Sequence, residues 1–180
     1  MATLDLPALW QRFDRAEQGL CLQVNRGCRH LAVRRFFAGV SRLGDGVFWY
    51  GLMLALVLNG PAEAEVALQM AVAALAGILI YGQLKHRLVR ERPFVSHAGI
   101  CLGAAPLDRY SFPSGHTLHA VCFTTIAIAH IPELALLLVP FAAAVAASRV
   151  VLGLHYPTDV VAGALLGLML AKVTLSLLGG

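Results

Sequence analysis

Residues 133–148 read ELALLLVPFAAAVAAS. Between Glu133 and Ser148 there is no polar side chain at all. A helix on the surface of a soluble bundle needs a polar outer face, and this stretch has none in any register. It reads as a helix in contact with hydrocarbon on one side and other helices on the other. The rest of the chain agrees. Of 180 residues, 58% are hydrophobic and only 13% charged, and the mean hydropathy is +0.73. A soluble domain is nearer 45–50% apolar and about a quarter charged.

Working outward, four more apolar segments appear. The five together cover about 44–60, 64–90, 114–130, 133–151 and 158–178. The first stops at Asn59-Gly60-Pro61, a helix-ending signal. Several cores are shorter than the ~20 residues that cross a bilayer, so tilt or local thinning must accommodate them. The predicted fold is all-α, a polytopic transmembrane bundle of about five spans. A polar loop at 93–113, with three prolines and two glycines, separates the second and third.

The first 43 residues differ. Leu6, Leu9, Trp10, Phe13, Leu20, Leu22, Leu31, Val33, Phe36 and Phe37 alternate with seven arginines. That mixture suits one or two amphipathic helices at the membrane surface. Even the most lenient scale puts an arginine at mid-bilayer at ~2.5 kcal/mol or more, which argues against crossing. The expected division is therefore an N-terminal arm, 1–43, and a transmembrane domain, 44–180. No apolar stretch followed by a small-residue cleavage site precedes it, so no cleavable signal peptide is expected. Cys21, Cys28, Cys101 and Cys122 form no CxxC pair and no zinc spacing. No nucleic-acid-binding module is apparent; the basic residues fall in the arm and at helix ends.

Helix counting places the unusual polar residues together. Lys85 and Arg92 end the second segment, Ser114, Gly115 and His116 start the third, Ser148 and Arg149 end the fourth, and His155 and Asp159 flank the start of the fifth. In an antiparallel bundle these four positions share one membrane face. The opposite face offers only Glu63, Glu65, His130 and Glu133, which read as solvated loop residues.

The residue types on the shared face suit an anion. Lys85 and Arg92 are two helical turns apart, and Pro93 turns Arg92 out of helical geometry. With Arg149 they supply three cations, two of them planar forks matched to phosphate oxygens. Pro113-Ser114-Gly115-His116 reads as a helix N-terminus, where free backbone N–H groups bind anions. Ser114 is placed to cap it or to donate to a phosphate, and Gly115 allows close backbone approach. His155 is the candidate nucleophile, with Asp159 to orient it and His116 to protonate a leaving oxygen. No HExxH pattern or carboxylate near His116 and His119 suggests a metal, and no cofactor is expected.

The motifs K-x6-R-P at Lys85–Pro93, P-S-G-H at 113–116 and S-R-x5-H-x3-D at 148–159 together resemble the three-part signature of the type 2 phosphatidic acid phosphatases. These lipid phosphate phosphatases share it with vanadium haloperoxidases and glucose-6-phosphatase. The resemblance implies metal-independent dephosphorylation through a phosphohistidine on His155, oriented by Asp159, with His116 as general acid. Lys85, Arg92, Ser114, Gly115 and Arg149 would hold the phosphate. It implies a lipid phosphate as substrate: phosphatidic acid, phosphatidylglycerophosphate, or a polyprenyl (pyro)phosphate such as undecaprenyl pyrophosphate. A non-catalytic lipid-phosphate-binding protein, or a phosphotransferase using the same residues, stays open beside it.

Membrane members of that family usually have six spans and an outward-facing site; five are visible here. The arm, the 85–113 region and Arg149 hold 13 of the 14 Lys and Arg residues, leaving only Lys172 towards the other side. The resemblance to bacterial members implies a multi-pass protein of the bacterial inner membrane, and the positive-inside rule predicts a cytoplasm-facing site.

Overall fold

The computed structural model describes residues 6–178, with side chains from Asp14 onward. The arm calls at Leu6, Leu9, Trp10, Arg12 and Phe13 lie outside the described side chains. Helices α1 (Leu6–Asn25), α2 (Leu31–Arg42), α3 (Phe48–Asn59), α4 (Pro61–Leu88), α5 (Pro93–Ser96), α6 (Gly115–His130), α7 (Ala135–Val151) and α8 (Pro157–Leu178) follow in order. Among the described residues there is no strand.

The chain is a polytopic transmembrane bundle. Its outer surface is apolar: Leu136 is 90% exposed, Leu58 78% and Leu177 75%. Such a continuous apolar exterior is tolerated only in lipid. Four stretches are long and apolar enough to cross: Leu31–Asn59, Pro61–Ser96, Pro132–Val151 and Pro157–Leu178. The remaining expected span, α6, has 16 residues, about 24 Å of rise. It is the central element, packed against α4, α7 and α8.

The core forms around α6. Trp49, Met70, Phe123, Ile126, Leu138 and Val145 are buried together from four helices. The α6–α8 contact is backbone against backbone. A Cβ at Gly163 would sit 2.5 Å from the Ser114 carbonyl oxygen, and one at Gly167 2.3 Å from that of Leu118. Small residues at such a seam let helices touch where lipid supplies no hydrophobic drive.

Two boundaries differ from the sequence expectation. The first apolar helix does not begin at residue 44: α2 runs into α3 through a π-helical turn at Leu43–Val47, kinked at Gly46 (φ 137°), a backbone conformation that only glycine adopts freely. The second helix ends at Leu88, not near 90, where Val89 takes a left-handed conformation. Lys85 is thus helical, whereas Arg92 sits in extended chain (φ −80°, ψ 151°), so the two do not share a helix face.

The arm is docked rather than loose. Cys21, Asn25 and Cys28 are buried. Asn25 donates through Nδ2 to the carbonyls of Cys101 and Val151, both at 2.9 Å, and accepts from the Cys101 amide at 2.7 Å. These bonds fasten α1 to the 97–112 loop and to the end of α7.

Candidate active site

Sequence-distant residues meet in one cavity of about 240 Å³. Lys85, Arg92, Gly115, His116, Arg149 and His155 form its polar end; Trp49, Tyr50, Met53, Ala74 and Ile78 form an apolar wall. Helix counting put these polar groups on one face, and the structure brings them into one volume. Two sequence candidates stand just behind it. Ser114 caps α6, accepting from the Thr117 amide and exchanging a 2.9 Å bond with the Thr117 hydroxyl. Its hydroxyl does not line the cavity. Asp159 lies behind His155 and is fully buried.

Local folding explains how His155 and Asp159 meet. Pro157 opens α8, which puts Asp159 in the first turn and His155 just outside it. The Tyr156 amide donates to Asp159 Oδ2 at 2.8 Å, as an acid in the first turn favours. The Leu154 and His155 amides both donate to the Arg149 carbonyl at 3.0 Å, folding the 152–156 turn back onto α7. His155 Nδ1 then faces Asp159 Oδ2 at 3.6 Å.

The tautomer of His155 follows from its neighbours. Arg92 Nη1 lies 3.2 Å from His155 Nε2. Guanidinium only donates, so Nε2 must accept, which assigns the ring proton to Nδ1; that atom is buried and, at 3.6 Å, does not reach hydrogen-bond distance of Asp159. Burial first, and then the charges of Arg149, Arg92 and Lys85, push the His155 pKa well below its ordinary value. The ring is a neutral imidazole with its lone pair turned to a cation-lined cavity. That arrangement suits attack on the electron-poor centre of an anion.

The cations are held in place by groups that the sequence reading passed over. Arg92 also donates through Nη1 to the Leu154 carbonyl at 2.7 Å and through Nε to the Asp108 carbonyl at 3.0 Å. Asp108 accepts from Lys85 Nζ at 2.5 Å and Arg92 Nη2 at 2.7 Å. Arg149 donates to the Ser41 hydroxyl, while its Nε is buried without a partner. His116 Nε2 lies 3.3 Å from Asp45 Oδ1, at the kink between α2 and α3. Behind Asp159, Arg90 bridges to Glu17 on α1. Only weak signals could have found these. Arg90 stands two residues before Arg92, Asp45 sits between two glycines, and Glu17 shares a four-residue spacing with Cys21 and Asn25. Asp108 carries no local signal.

The chain belongs to the PAP2 superfamily, whose family profile matches residues 66–179. It is 30% identical over 168 residues to phosphatidylglycerophosphatase B of Bacillus subtilis, covering 82% of this chain and 70% of that protein. It is 35% identical over 117 residues to decaprenylphosphoryl-5-phosphoribose phosphatase of Mycolicibacterium smegmatis, covering 64% of this chain. The match spans 62% of that protein's length. The crystal structure of Aquifex aeolicus LpxE superposes with a TM-score of 0.77 at 26% identity, covering 88% of this chain and 93% of that one.

Proposed function

We propose that the chain is a membrane lipid phosphatase that hydrolyses a phosphate or pyrophosphate monoester of a lipid through a phosphohistidine. One observation carries this: His155 Nε2 shares a cavity with Lys85, Arg92 and Arg149, and that cavity has an apolar wall. A phosphate suits the cations, and the first carbons of an acyl or prenyl chain suit the apolar lining. The relatives named above as phosphatases of phosphorylated lipids support the class.

In the proposed reaction His155 Nε2 attacks phosphorus, and the bond from phosphorus to the lipid oxygen breaks. His116 donates a proton to that oxygen, and the lipid alcohol, or the lipid monophosphate from a pyrophosphate, departs. Water then attacks the phosphohistidine and gives its proton to His116. The P–N bond breaks, and inorganic phosphate leaves. Asp159 keeps the ring proton on Nδ1 and balances the charge that grows on it. Lys85, Arg92, Arg149 and the N-terminus of α6 at Gly115 hold the equatorial oxygens, with Ser114 behind them as the cap of that helix. Fixed charges of this kind supply most of the rate in phosphoryl transfer. No metal or cofactor has a step in it.

The arm, 1–43, is proposed to lie at the membrane surface, and residues 44–180 to be the phosphatase domain. The cation distribution favours a cytoplasm-facing site in a bacterial inner membrane.

The test is phosphate release by detergent-purified protein, wild type beside His155→Ala, with and without EDTA. The substrates are phosphatidic acid, phosphatidylglycerophosphate and undecaprenyl pyrophosphate. Activity that survives EDTA and is lost in the variant supports the reading, and the preferred lipid names the substrate. No activity on any lipid, or equal activity in the variant, overturns it. Label recovered on an alcohol instead of as inorganic phosphate would make the chain a phosphotransferase.

A further inference from the structure

Arg90 lies outside the cavity, yet it is among the most heavily bonded side chains near it. Its Nη1 donates to Asp159 Oδ1 at 2.6 Å and to the Thr158 hydroxyl at 2.7 Å. Its Nη2 donates to Glu17 Oε2 at 2.6 Å. Its guanidinium carbon sits 4.0 Å above the Tyr156 ring. Glu17 in turn accepts from the Thr158 amide at 2.8 Å and from the Thr158 hydroxyl. Both carboxylates are almost wholly buried: the side chains of Asp159 and Glu17 are 0% and 5% exposed. A forked guanidinium bridging two buried carboxylates fixes the position of both.

We propose that Arg90 is a positioning residue for the His155–Asp159 pair, and that Glu17 on α1 holds Arg90 in that place. The N-terminal arm is then part of the catalytic apparatus. Its helix carries the last link of a chain running Glu17–Arg90–Asp159–His155. This rests on the reading above, in which His155 is the nucleophile and Asp159 orients it. It adds two residues that never touch substrate, one of them outside the region that the family profile matches.

The chain sets both geometry and charge. Asp159 has two oxygens, and each is committed: Oδ1 to Arg90, Oδ2 to the Tyr156 amide with Nδ1 of His155 beyond it. Without Arg90 the carboxylate is free to rotate away from the ring. A buried carboxylate also binds protons more tightly when its cation is removed. Protons are shared across a coupled pair, so this holds whichever partner carries the proton. Other groups face the pair and stay constant in the comparison. Arg92, Arg149 and Lys85 act from the cavity side, with His116 on α6. Cys21 and Tyr156 face Asp159 from behind, and Asp108 stands across the cavity on Lys85 and Arg92.

The experiment measures kcat, KM and the acid limb of the kcat/KM–pH profile for Glu17→Gln, Arg90→Gln and Arg90→Lys, beside wild type and His155→Ala. Arg90→Gln is expected to lower kcat by about 10- to 100-fold with KM within about twofold, as outer-shell partners of a working side chain do. Its acid limb moves to higher pH, because a positive charge beside the pair is gone. Glu17→Gln is expected to lower kcat by less and to move the limb to lower pH, because a negative charge is gone. Arg90→Lys returns the limb towards wild type but recovers kcat only in part, since lysine cannot bridge both carboxylates. A structural role alone cannot shift the limb in opposite directions. Limbs that stay put, or that move the same way in both Gln variants, overturn the inference. If Arg90→Gln does not fold, Glu17→Gln and Arg90→Lys decide it alone by the same readout. Full activity in His155→Ala would instead overturn the underlying reading. A dead His155→Ala beside unaffected Gln variants sinks only this inference.

Discussion

The Asp108 carboxylate lies 2.5 Å from Lys85 Nζ, where a substrate phosphate is proposed to bind. Its other oxygen takes Arg92 Nη2 at 2.7 Å. Burial works to raise the Asp108 pKa, but the bonds and charges of Lys85 and Arg92 outweigh it and hold it below the ordinary carboxylate range. Asp108 is therefore ionised at neutral pH and, on the proposed reading, would compete with phosphate for two of the three cations. The cations are buried, but Asp108 is 41% exposed, and a pair open to water on one side is worth about 1 kcal/mol. Asp108→Asn should lower KM about three- to fivefold, tighten inhibition by inorganic phosphate to a similar extent and leave kcat within twofold. Steady-state kinetics with phosphate as inhibitor checks it. A raised KM would show that Asp108 orders the cations for substrate instead of opposing it.

Asp45 should matter through the leaving group. It sits 3.3 Å from His116 Nε2, the ring proposed to protonate the departing oxygen. Asp45→Asn should slow release of a lipid alcohol about tenfold, within the range general acid catalysis contributes. A nitrophenyl phosphate, whose leaving group needs no proton, should be slowed far less. Equal slowing of both substrates would remove Asp45 from the proton path.

The pH profile should follow from His155. Its depressed pKa, set by burial and then by Arg149, Arg92 and Lys85, keeps Nε2 unprotonated below the ordinary histidine range of about 6.5. Arg149→Gln removes one of those charges and should move the acid limb of kcat/KM upward. Stability carries the same sign. The unfolded chain takes up a proton near pH 6.5 that the folded chain refuses, so stability is full above that value and declines as pH falls below it. Thermal melts from pH 8 to pH 4 should show the decline, and His155→Ala should make it shallower, the rest being carried by His116, whose pKa burial also depresses. A limb that stays fixed in Arg149→Gln contradicts the electrostatic account.

The glycines of α8 should be intolerant of even one carbon. At Gly163 a Cβ meets the Ser114 carbonyl oxygen at 2.5 Å, and at Gly167 the Leu118 carbonyl oxygen at 2.3 Å. Both obstacles are backbone and cannot swing aside. Gly163→Ala should destabilise by roughly 1–3 kcal/mol, the range for overpacking, and should lose most activity. Gly51→Ala, with nothing within 4 Å of its Cβ, is the neutral control. Melting temperatures and phosphate release of the two variants, side by side, test this.

The legible part of this protein is the part that repeats a simple rule. Apolar runs such as 133–148 declare helices in lipid, and counting them puts Lys85, Arg149 and His155 on one face without any coordinates. The end of α4 was less legible, since nothing apolar distinguishes Leu88 from Val89, where the chain turns left-handed. The kink at Gly46 was equally hidden. Its place at the junction of α2 and α3 carries no mark in the local sequence beyond the glycines flanking Asp45. Glu17, Asp45, Arg90 and Asp108 escaped because their partners lie 16 or more residues away. A lone acid in an arm or loop looks solvated until the fold brings a cation to it.

The glycine seam between α6 and α8 also constrains how anything reaches the cavity. Backbones in van der Waals contact cannot part without opening a void along their whole shared length. His116 at the head of one helix and Asp159 at the head of the other therefore behave as a single stationary block. On the proposed reading, a lipid tail would enter on the far side, where α3 and α4 present Tyr50, Met53 and Ile78 and where the π-helical turn kinks the chain ahead of α3. The protein is built like a vice with one fixed jaw, and the fixed jaw holds the chemistry.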